Sequence, residues 1–139
     1  MTILEVGKKA PQFELPNQDE ENKTLDDYNG KWLVAYFYPR DDTPGCTVEA
    51  QEFTEELDNF TNEDAVVVGI SPDTAAKHCK FIDKHGLGME LLADTEKQML
   101  ADYGVWQEKS MYGKTYMGVV RTTYLIDPNG LVAETWTKV

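Results

Sequence analysis

The sequence predicts an α/β fold in which helices flank a central mixed β-sheet. Apolar runs typical of strands buried on both faces alternate along the chain with helical patterns. Such alternation is typical of parallel strands joined by right-handed helical crossovers. Two final strands around the turn Asp127-Pro128-Asn129-Gly130 add an antiparallel hairpin, which makes the predicted sheet mixed.

The predicted elements follow one another without a repeat, a linker or a low-complexity tract. Residues 1–30 are polar with scattered apolar positions, as expected for a short edge strand or hairpin and a surface loop. Strands are predicted at 32–38, 65–70, 90–93, 119–126 and 131–137. Helices are predicted at 46–60, from a cap at 71–73 to about 85, and at about 95–103, with a polar loop at 106–118.

Length and charge limit the possible functions. The 139 residues predict one domain, 1–139, with a core of ordinary size. There are 13 basic and 25 acidic residues, a net charge of −12, and the basic residues do not cluster. We therefore expect neither nucleic acid nor an anionic membrane as a partner.

The small number of cysteines favours reactive thiols over structural disulfides. No signal-peptide pattern and no apolar stretch of membrane length occur in the sequence, so we expect a cytoplasmic protein. Its two cysteines, Cys46 and Cys79, are too few for a disulfide framework. In a reducing compartment such cysteines are more often reactive than structural.

Cys46 lies where the backbone favours an anion. It follows the predicted strand 32–38 and the turn Pro44-Gly45, in the first turn of a helix. Unpaired N–H groups and the positive end of the helix dipole meet at such a position, and the thiolate is the nucleophilic form of cysteine. The alternative is a small buried apolar side chain. The carboxyl end of a strand, where open sheets bind ligands, favours the reactive role.

The surrounding motif identifies a family. The spacing Pro39-x-x-x-Thr43-x-x-Cys46 resembles the peroxiredoxin active-site signature, and residues 37–50 as a whole resemble the bacterioferritin comigratory protein (PrxQ) subfamily. The resemblance covers residues 5–137 in order, and continues at 69–71, 78, 81, 103–106, 111–113 and 121–127. It implies a thioredoxin-like fold and a thiol peroxidase with no metal or organic cofactor.

The resemblance also implies that Arg121 helps the helix N-terminus to stabilise the thiolate of Cys46. Lowering a thiol pKa from about 8.5 to about 6 requires about 3.4 kcal/mol, whereas a helix N-terminus supplies about 0.3–1 kcal/mol. A guanidinium stays charged at any working pH, and its planar donors can hold both sulfur and peroxide oxygens. Without its sequence context, Arg121 would be interpreted as a surface residue of a strand.

Three further residues receive roles from the resemblance. The Thr43 hydroxyl, which can donate and accept, would orient the peroxide beside the Cys46 amide. Pro39, which has no N–H group, would shield the thiolate from water. Glu49 lies three residues after Cys46 on the same helical face and would hold Arg121. By themselves Thr43 and Pro39 are ordinary turn residues.

The implied reaction needs two partners. A peroxide, either hydrogen peroxide or a small organic hydroperoxide, oxidises Cys46 to a sulfenic acid. A thioredoxin-like donor then reduces this acid through a disulfide. The resemblance further implies a monomer.

Two interpretations of Cys79 stay open. Many subfamily members carry a resolving cysteine five residues after the reactive one, where this chain has Gln51. Other members carry it on the helix that corresponds to 71–85, at the position of Ile82, which shares a helical face with Cys79. Cys79 is therefore either the resolving cysteine or a structural residue of a one-cysteine enzyme.

A metal site is not expected at His78, Cys79 and His85. The two histidines are seven residues apart, about 10 Å along a helix, so they cannot share one ion. We expect packing or capping roles for both.

Two other functions are alternatives to a thiol peroxidase. A thiol–disulfide oxidoreductase of the same fold would need a second cysteine close to Cys46, and Val48 and Glu49 stand there instead. A redox-sensing module would oxidise Cys46 without fast turnover.

Overall fold

A five-stranded mixed sheet forms the centre of the structure, a computed structural model that describes residues 3–137. From one edge to the other, its strands are Glu90–Ala93 (β5), Ala65–Ser71 (β4), Trp32–Phe37 (β3), Thr122–Ile126 (β8) and Val132–Thr137 (β9). Strands β5, β4 and β3 are parallel, whereas β8 and β9 run antiparallel to their neighbours. The predicted mixed sheet is confirmed.

Two hairpins and several helices surround this sheet. The hairpins are Glu14–Pro16 (β1) with Asn22–Thr24 (β2), and Trp106–Met111 (β6) with Lys114–Val119 (β7). The helices are Pro44–Glu55 (α1), Leu57–Asn62 (α2), Ala75–His85 (α3) and Gln98–Asp102 (α4), and a 3₁₀ turn spans Leu25–Tyr28. The first hairpin agrees with the interpretation of residues 1–30.

The core lies on both faces of β3, as its continuous apolar run predicts. One face carries Leu33, Ala35 and Phe37 and packs against α4 and the start of the chain. The other face carries Val34 and Tyr36 and packs against α1 and α3. Burial on both faces explains why the strand lacks the polar alternation of a surface strand.

The predicted helix 46–60 is corrected to two helices. Helix α1 begins two residues earlier, at Pro44, and the chain leaves helical geometry at Glu56, where φ is −97° and ψ is 3°. The Glu56 amide is shared between the carbonyls of Glu52 and Phe53. Leu57 and Phe60 still pack on the cluster that Phe53 contacts, so the apolar spacing persists across the break.

The predicted loop 106–118 is wrong, because these residues form the hairpin β6–β7. Much of β7 is exposed on both faces, so the sequence lacks the apolar alternation by which strands are recognised. Its two-residue turn, Tyr112-Gly113, has φ of +53° and +77°. Positive φ at both positions is what the type I′ turn of a tight hairpin requires.

Boundaries differ at three other elements. The predicted strand 119–126 is divided, since Val119 ends β7 and β8 begins at Thr122. Helix α3 is capped by Thr74, whose hydroxyl accepts from the Lys77 amide, and not by residues 71–73. Helix α4 begins at Gln98 instead of about 95.

Candidate active site

Cys46 is the third residue of α1 and is buried, with 1% of its surface exposed. Pro44 occupies the first helical position, where its missing N–H costs no hydrogen bond, and Thr43 precedes it in extended geometry. The sulfur therefore lies at the end of the helix where backbone N–H groups have no intrahelical acceptor. This is the position that the sequence predicts.

Sheet register brings Arg121 to Cys46 across 75 residues of sequence. Phe37, the last residue of β3, pairs with Thr122, the first residue of the antiparallel strand β8. Arg121 immediately precedes β8, so it lies at the same end of the sheet as the start of α1. Its Nη2 donates to Cys46 Sγ at 2.8 Å.

Glu49 binds the other arm of the guanidinium. Arg121 Nη1 donates to Glu49 Oε1 at 2.9 Å, and both side chains are largely buried. Burial raises the pKa of Glu49 above its ordinary value, and the opposing effect of Arg121 does not cancel it. The carboxylate orients the planar guanidinium, so that its remaining edge faces the sulfur.

Gly45 is a site residue that sequence reasoning treated only as part of a turn. A Cβ atom at this position would lie 3.1 Å from Arg121 Nη2, which is tighter than ordinary packing allows. The absence of a side chain lets the guanidinium approach the helix start. A glycine immediately before a reactive cysteine was the available signal.

Thr43 and Pro39 lie in the segment between β3 and α1. Thr43 is half-buried, and its hydroxyl donates to the carbonyl of Arg40 at 3.1 Å. Because this bond uses the hydrogen of the hydroxyl, its lone pairs stay available to accept from a bound molecule. Pro39 is half-buried in the same segment.

An open pocket of about 280 Å³ leads to the guanidinium. It is lined by Gly45, Val48, Glu49, Glu52 and Arg121. A larger apolar groove of about 480 Å³ adjoins it and shares Glu49 and Glu52. The groove is lined mainly by Val34, Phe53, Phe60, Leu125 and Trp136.

Cys79 is a free, half-buried thiol on α3 and forms no disulfide with Cys46 in this structure. The histidines of α3 have more specific partners than the expected packing or capping. His78 pairs with Asp41, and the ring of His85 lies 2.8 Å from a carboxylate oxygen of Asp42. The available sequence signal for these contacts was the pair Asp41-Asp42, which follows the buried strand β3 after three residues.

Together the sheet, the helix start and the cysteine–arginine contact are the features of a thiol-dependent peroxidase on a thioredoxin-like fold. The comparisons with known proteins agree. Residues 6–135 match the AhpC/TSA family, and the chain belongs to this family. Its relatives place it among the peroxiredoxins of the bacterioferritin comigratory protein (PrxQ) subfamily.

Curated relatives match over nearly their whole length. Peroxiredoxin Bcp of Bacillus subtilis is 48% identical over 139 residues, which is 100% of this chain and 88% of that protein. Peroxiredoxin Bcp of Escherichia coli is 42% identical over 132 residues, 95% of this chain and 85% of that protein. The enzyme is therefore a peroxidase that acts on peroxide and uses a thiol reductant.

Solved structures show the same fold. A cysteine-to-serine variant of PrxQ from Xylella fastidiosa has a TM-score of 0.93 and 34% identity, covering 100% of this chain and 89% of that one. The bacterioferritin comigratory protein of Xanthomonas campestris, studied for alkyl peroxide reduction, has a TM-score of 0.90 and 35% identity, covering 100% and 88%. Among residues 3–137, no helix has the length and apolar character needed to cross a membrane.

Proposed function

We propose that Cys46 is the nucleophile of this peroxidase. Its thiolate attacks one oxygen of the peroxide, the O–O bond breaks, and the sulfur becomes a sulfenic acid. The departing oxygen takes a proton and leaves as water or an alcohol. The observation that carries the proposal is the 2.8 Å contact between Arg121 Nη2 and the buried Cys46 sulfur.

The neighbouring residues support this step in separate ways. Arg121 stabilises the thiolate and the charge that develops on the peroxide oxygens. Glu49 holds Arg121 in plane, and Thr43 accepts a hydrogen bond from the peroxide through its free lone pairs. Pro39 shields the thiolate from water. The pocket of about 280 Å³ beside Arg121 has room for hydrogen peroxide or a small organic hydroperoxide.

A dithiol reductant completes the cycle. A thiol attacks the sulfenic acid, releasing water and forming a disulfide, and a second thiol then reduces that disulfide. We assign the electrons to a thioredoxin-like donor, and we expect the enzyme to act as a monomer in the cytoplasm. The two free cysteines agree with a reducing compartment.

A peroxide-consumption assay with two matched variants tests the nucleophile. Cys46→Ser is expected to lower the rate below about a thousandth of the wild-type rate, because a hydroxyl is far less ionised than a thiol at neutral pH. Cys79→Ser should keep the first, single-turnover reaction with peroxide. A Cys46→Ser enzyme that still consumes peroxide would refute the assignment, and a wild-type enzyme that reacts only once would favour a sensor.

A further inference from the structure

A buried acid–histidine pair connects α3 to the segment that leads into α1. This segment, residues 38–43, is called the entry loop. Asp41 of the entry loop is buried, and its Oδ2 lies 2.7 Å from Nδ1 of His78, which has no exposed surface. The Tyr38 hydroxyl donates to Oδ1 at 2.5 Å. Both carboxylate oxygens of Asp41 therefore have a partner.

Both nitrogens of the His78 ring have a hydrogen-bond partner. His78 Nε2 lies 3.0 Å from the carbonyl oxygen of Leu92, which can only accept, so Nε2 carries a hydrogen. Nδ1 faces the Asp41 carboxylate. Both ring nitrogens of His78 are therefore engaged by neighbouring groups.

The backbone of the entry loop is held as well. The Asp41 amide donates to Asp73 Oδ2 at 2.7 Å, and the Ser71 hydroxyl donates to the same oxygen at 2.9 Å. Burial acts to raise the pKa of Asp73, but hydrogen bonds from the Asp41 amide, Lys77 and Ser71 outweigh it, so this pKa lies below its ordinary value. Asp73 is thus kept ionised, and an ionised acceptor binds the amide more strongly.

The next residue of the entry loop is attached to the same helix. Asp42 has φ of +61°, in the left-handed region, and its carboxylate oxygens lie 2.7 Å from Lys84 Nζ and 2.8 Å from His85 Nε2. This contact is exposed and contributes little. The buried pair of Asp41 and His78 is the stronger connection, because breaking it would leave a charge without a partner inside the protein.

We propose that His78 and Asp41 are positioning residues of the peroxidase reaction. Their pair holds the entry loop against α3, and Thr43, the last residue of this loop, immediately precedes the first residue of α1. Neither His78 nor Asp41 has a hydrogen bond to Cys46 or Arg121 within residues 3–137, so both act through the backbone of the entry loop. The proposal rests on the assignment of Cys46 as the nucleophile.

Four variants and one control test the proposal. His78→Leu removes both ring nitrogens, and Asp41→Asn replaces the carboxylate by an amide of the same shape. His78→Asn is the conservative variant, since its amide nitrogen can replace Nδ1 as a donor to Asp41. Cys46→Ser shows that the ultraviolet absorbance used to follow thiolate formation comes from Cys46. Ile126→Ala is the control, because Ile126 is buried and pairs with Leu33 at the other end of β3, so it lowers stability without reaching the loop.

We expect the second-order rate constant for hydrogen peroxide to fall about tenfold or more in His78→Leu and Asp41→Asn. It should recover in part in His78→Asn and stay unchanged in Ile126→Ala. In the two impaired variants, the pH at which half of Cys46 is thiolate, followed by ultraviolet absorbance, should move upward. Amide hydrogen exchange of residues 41–47 should become faster in both.

Three results would overturn the proposal. One is a folded His78→Leu variant whose rate constant and amide exchange stay within about twofold of the wild type. Another is that Ile126→Ala loses as much of the rate constant as His78→Leu when the two variants have the same Tm. The third is that neither His78→Leu nor Asp41→Asn folds, because the pair would then serve the whole fold. If Cys46→Ser stays active, the nucleophile is wrong, whereas amide exchange still decides whether the pair holds the loop.

Discussion

At the scale of single residues, Arg121 combines two interactions that require a planar cation. One nitrogen binds Glu49 at 2.9 Å and the other binds the Cys46 sulfur at 2.8 Å. A lysine ammonium could reach one of these partners, but it has no rigid fork that serves both. The glycine at position 45 leaves the space in which the guanidinium lies. The shape of Arg121 therefore matters as well as its charge.

Arg121→Lys is accordingly expected to lower the second-order rate constant for peroxide about tenfold or more, which is about 1.4 kcal/mol in the transition state. The thiolate fraction of Cys46 at neutral pH should fall as well. Stopped-flow measurements with hydrogen peroxide give the rate. Arg40→Lys is the matched control, since Arg40 is exposed in the entry loop. Equal rates in the two variants would place Arg121 outside the chemistry.

At the scale of secondary-structure elements, the first turn of α1 is the segment that has to move if Cys79 is the resolving cysteine. A disulfide requires Cα atoms within about 7 Å, and Cys46 is enclosed by α1 and the sheet. Pro44 donates no hydrogen bond, and the first intrahelical bond runs from the Thr47 amide to the Thr43 carbonyl. We therefore expect this turn to unwind after oxidation.

One equivalent of peroxide should then produce a Cys46–Cys79 disulfide and faster amide exchange in residues 43–47. Non-reducing peptide mapping detects the crosslink. Cys79→Ser should react normally with the first peroxide, turn over more slowly with thioredoxin, and accumulate Cys46 sulfinic acid. A map with oxidised Cys46 and no crosslink would show a one-cysteine enzyme.

At the scale of the whole molecule, buried carboxyl groups with opposite pKa shifts shape the response to acid. Asp73 has a lowered pKa, because its hydrogen bonds outweigh burial. Asp94 has a raised pKa, because burial outweighs the hydrogen bonds from the start of α4. Asp73 therefore stabilises the fold at pH values above 3.8, the ordinary pKa of its carboxyl group. This stability is lost as the pH falls through the lower pKa of Asp73 in the folded protein. Asp94 stabilises the fold below 3.8, and this contribution is lost as pH rises through its higher folded pKa.

Two substitutions should therefore change the pH dependence of stability in opposite directions. In Asp73→Asn, the free energy of unfolding should fall less steeply as the pH drops below about 3.8. The reason is that the variant lacks the Asp73 carboxyl group, whose lowered pKa in the folded protein causes part of this fall. Asp94→Asn should steepen the fall between neutral pH and pH 3.8, because a compensating group is removed. Urea unfolding at a series of pH values measures both. Parallel curves for the two variants would contradict these assignments.

Elements with a strong apolar signal were predicted well, and those without one were not. The run that forms β3 and the residues of β5 were recognised because both buried strands consist largely of consecutive apolar residues. The hairpin β6–β7 was missed because β7 is largely exposed and because the hairpin depends on backbone pairing around Tyr112-Gly113. The break at Glu56 was missed because the apolar spacing continues through it.

The sequence by itself determined the α/β class, the succession of the central strands along the chain and the position of Cys46 at a helix start. These features follow from local patterns within a few residues. Only the tertiary structure decided that Arg121 reaches the sulfur and that His78 pairs with Asp41. The first contact depends on the pairing of β3 with β8, and the second on how α3 packs against the entry loop. Interactions between segments far apart in sequence leave no local pattern, because they depend on strand register and on the packing of helices.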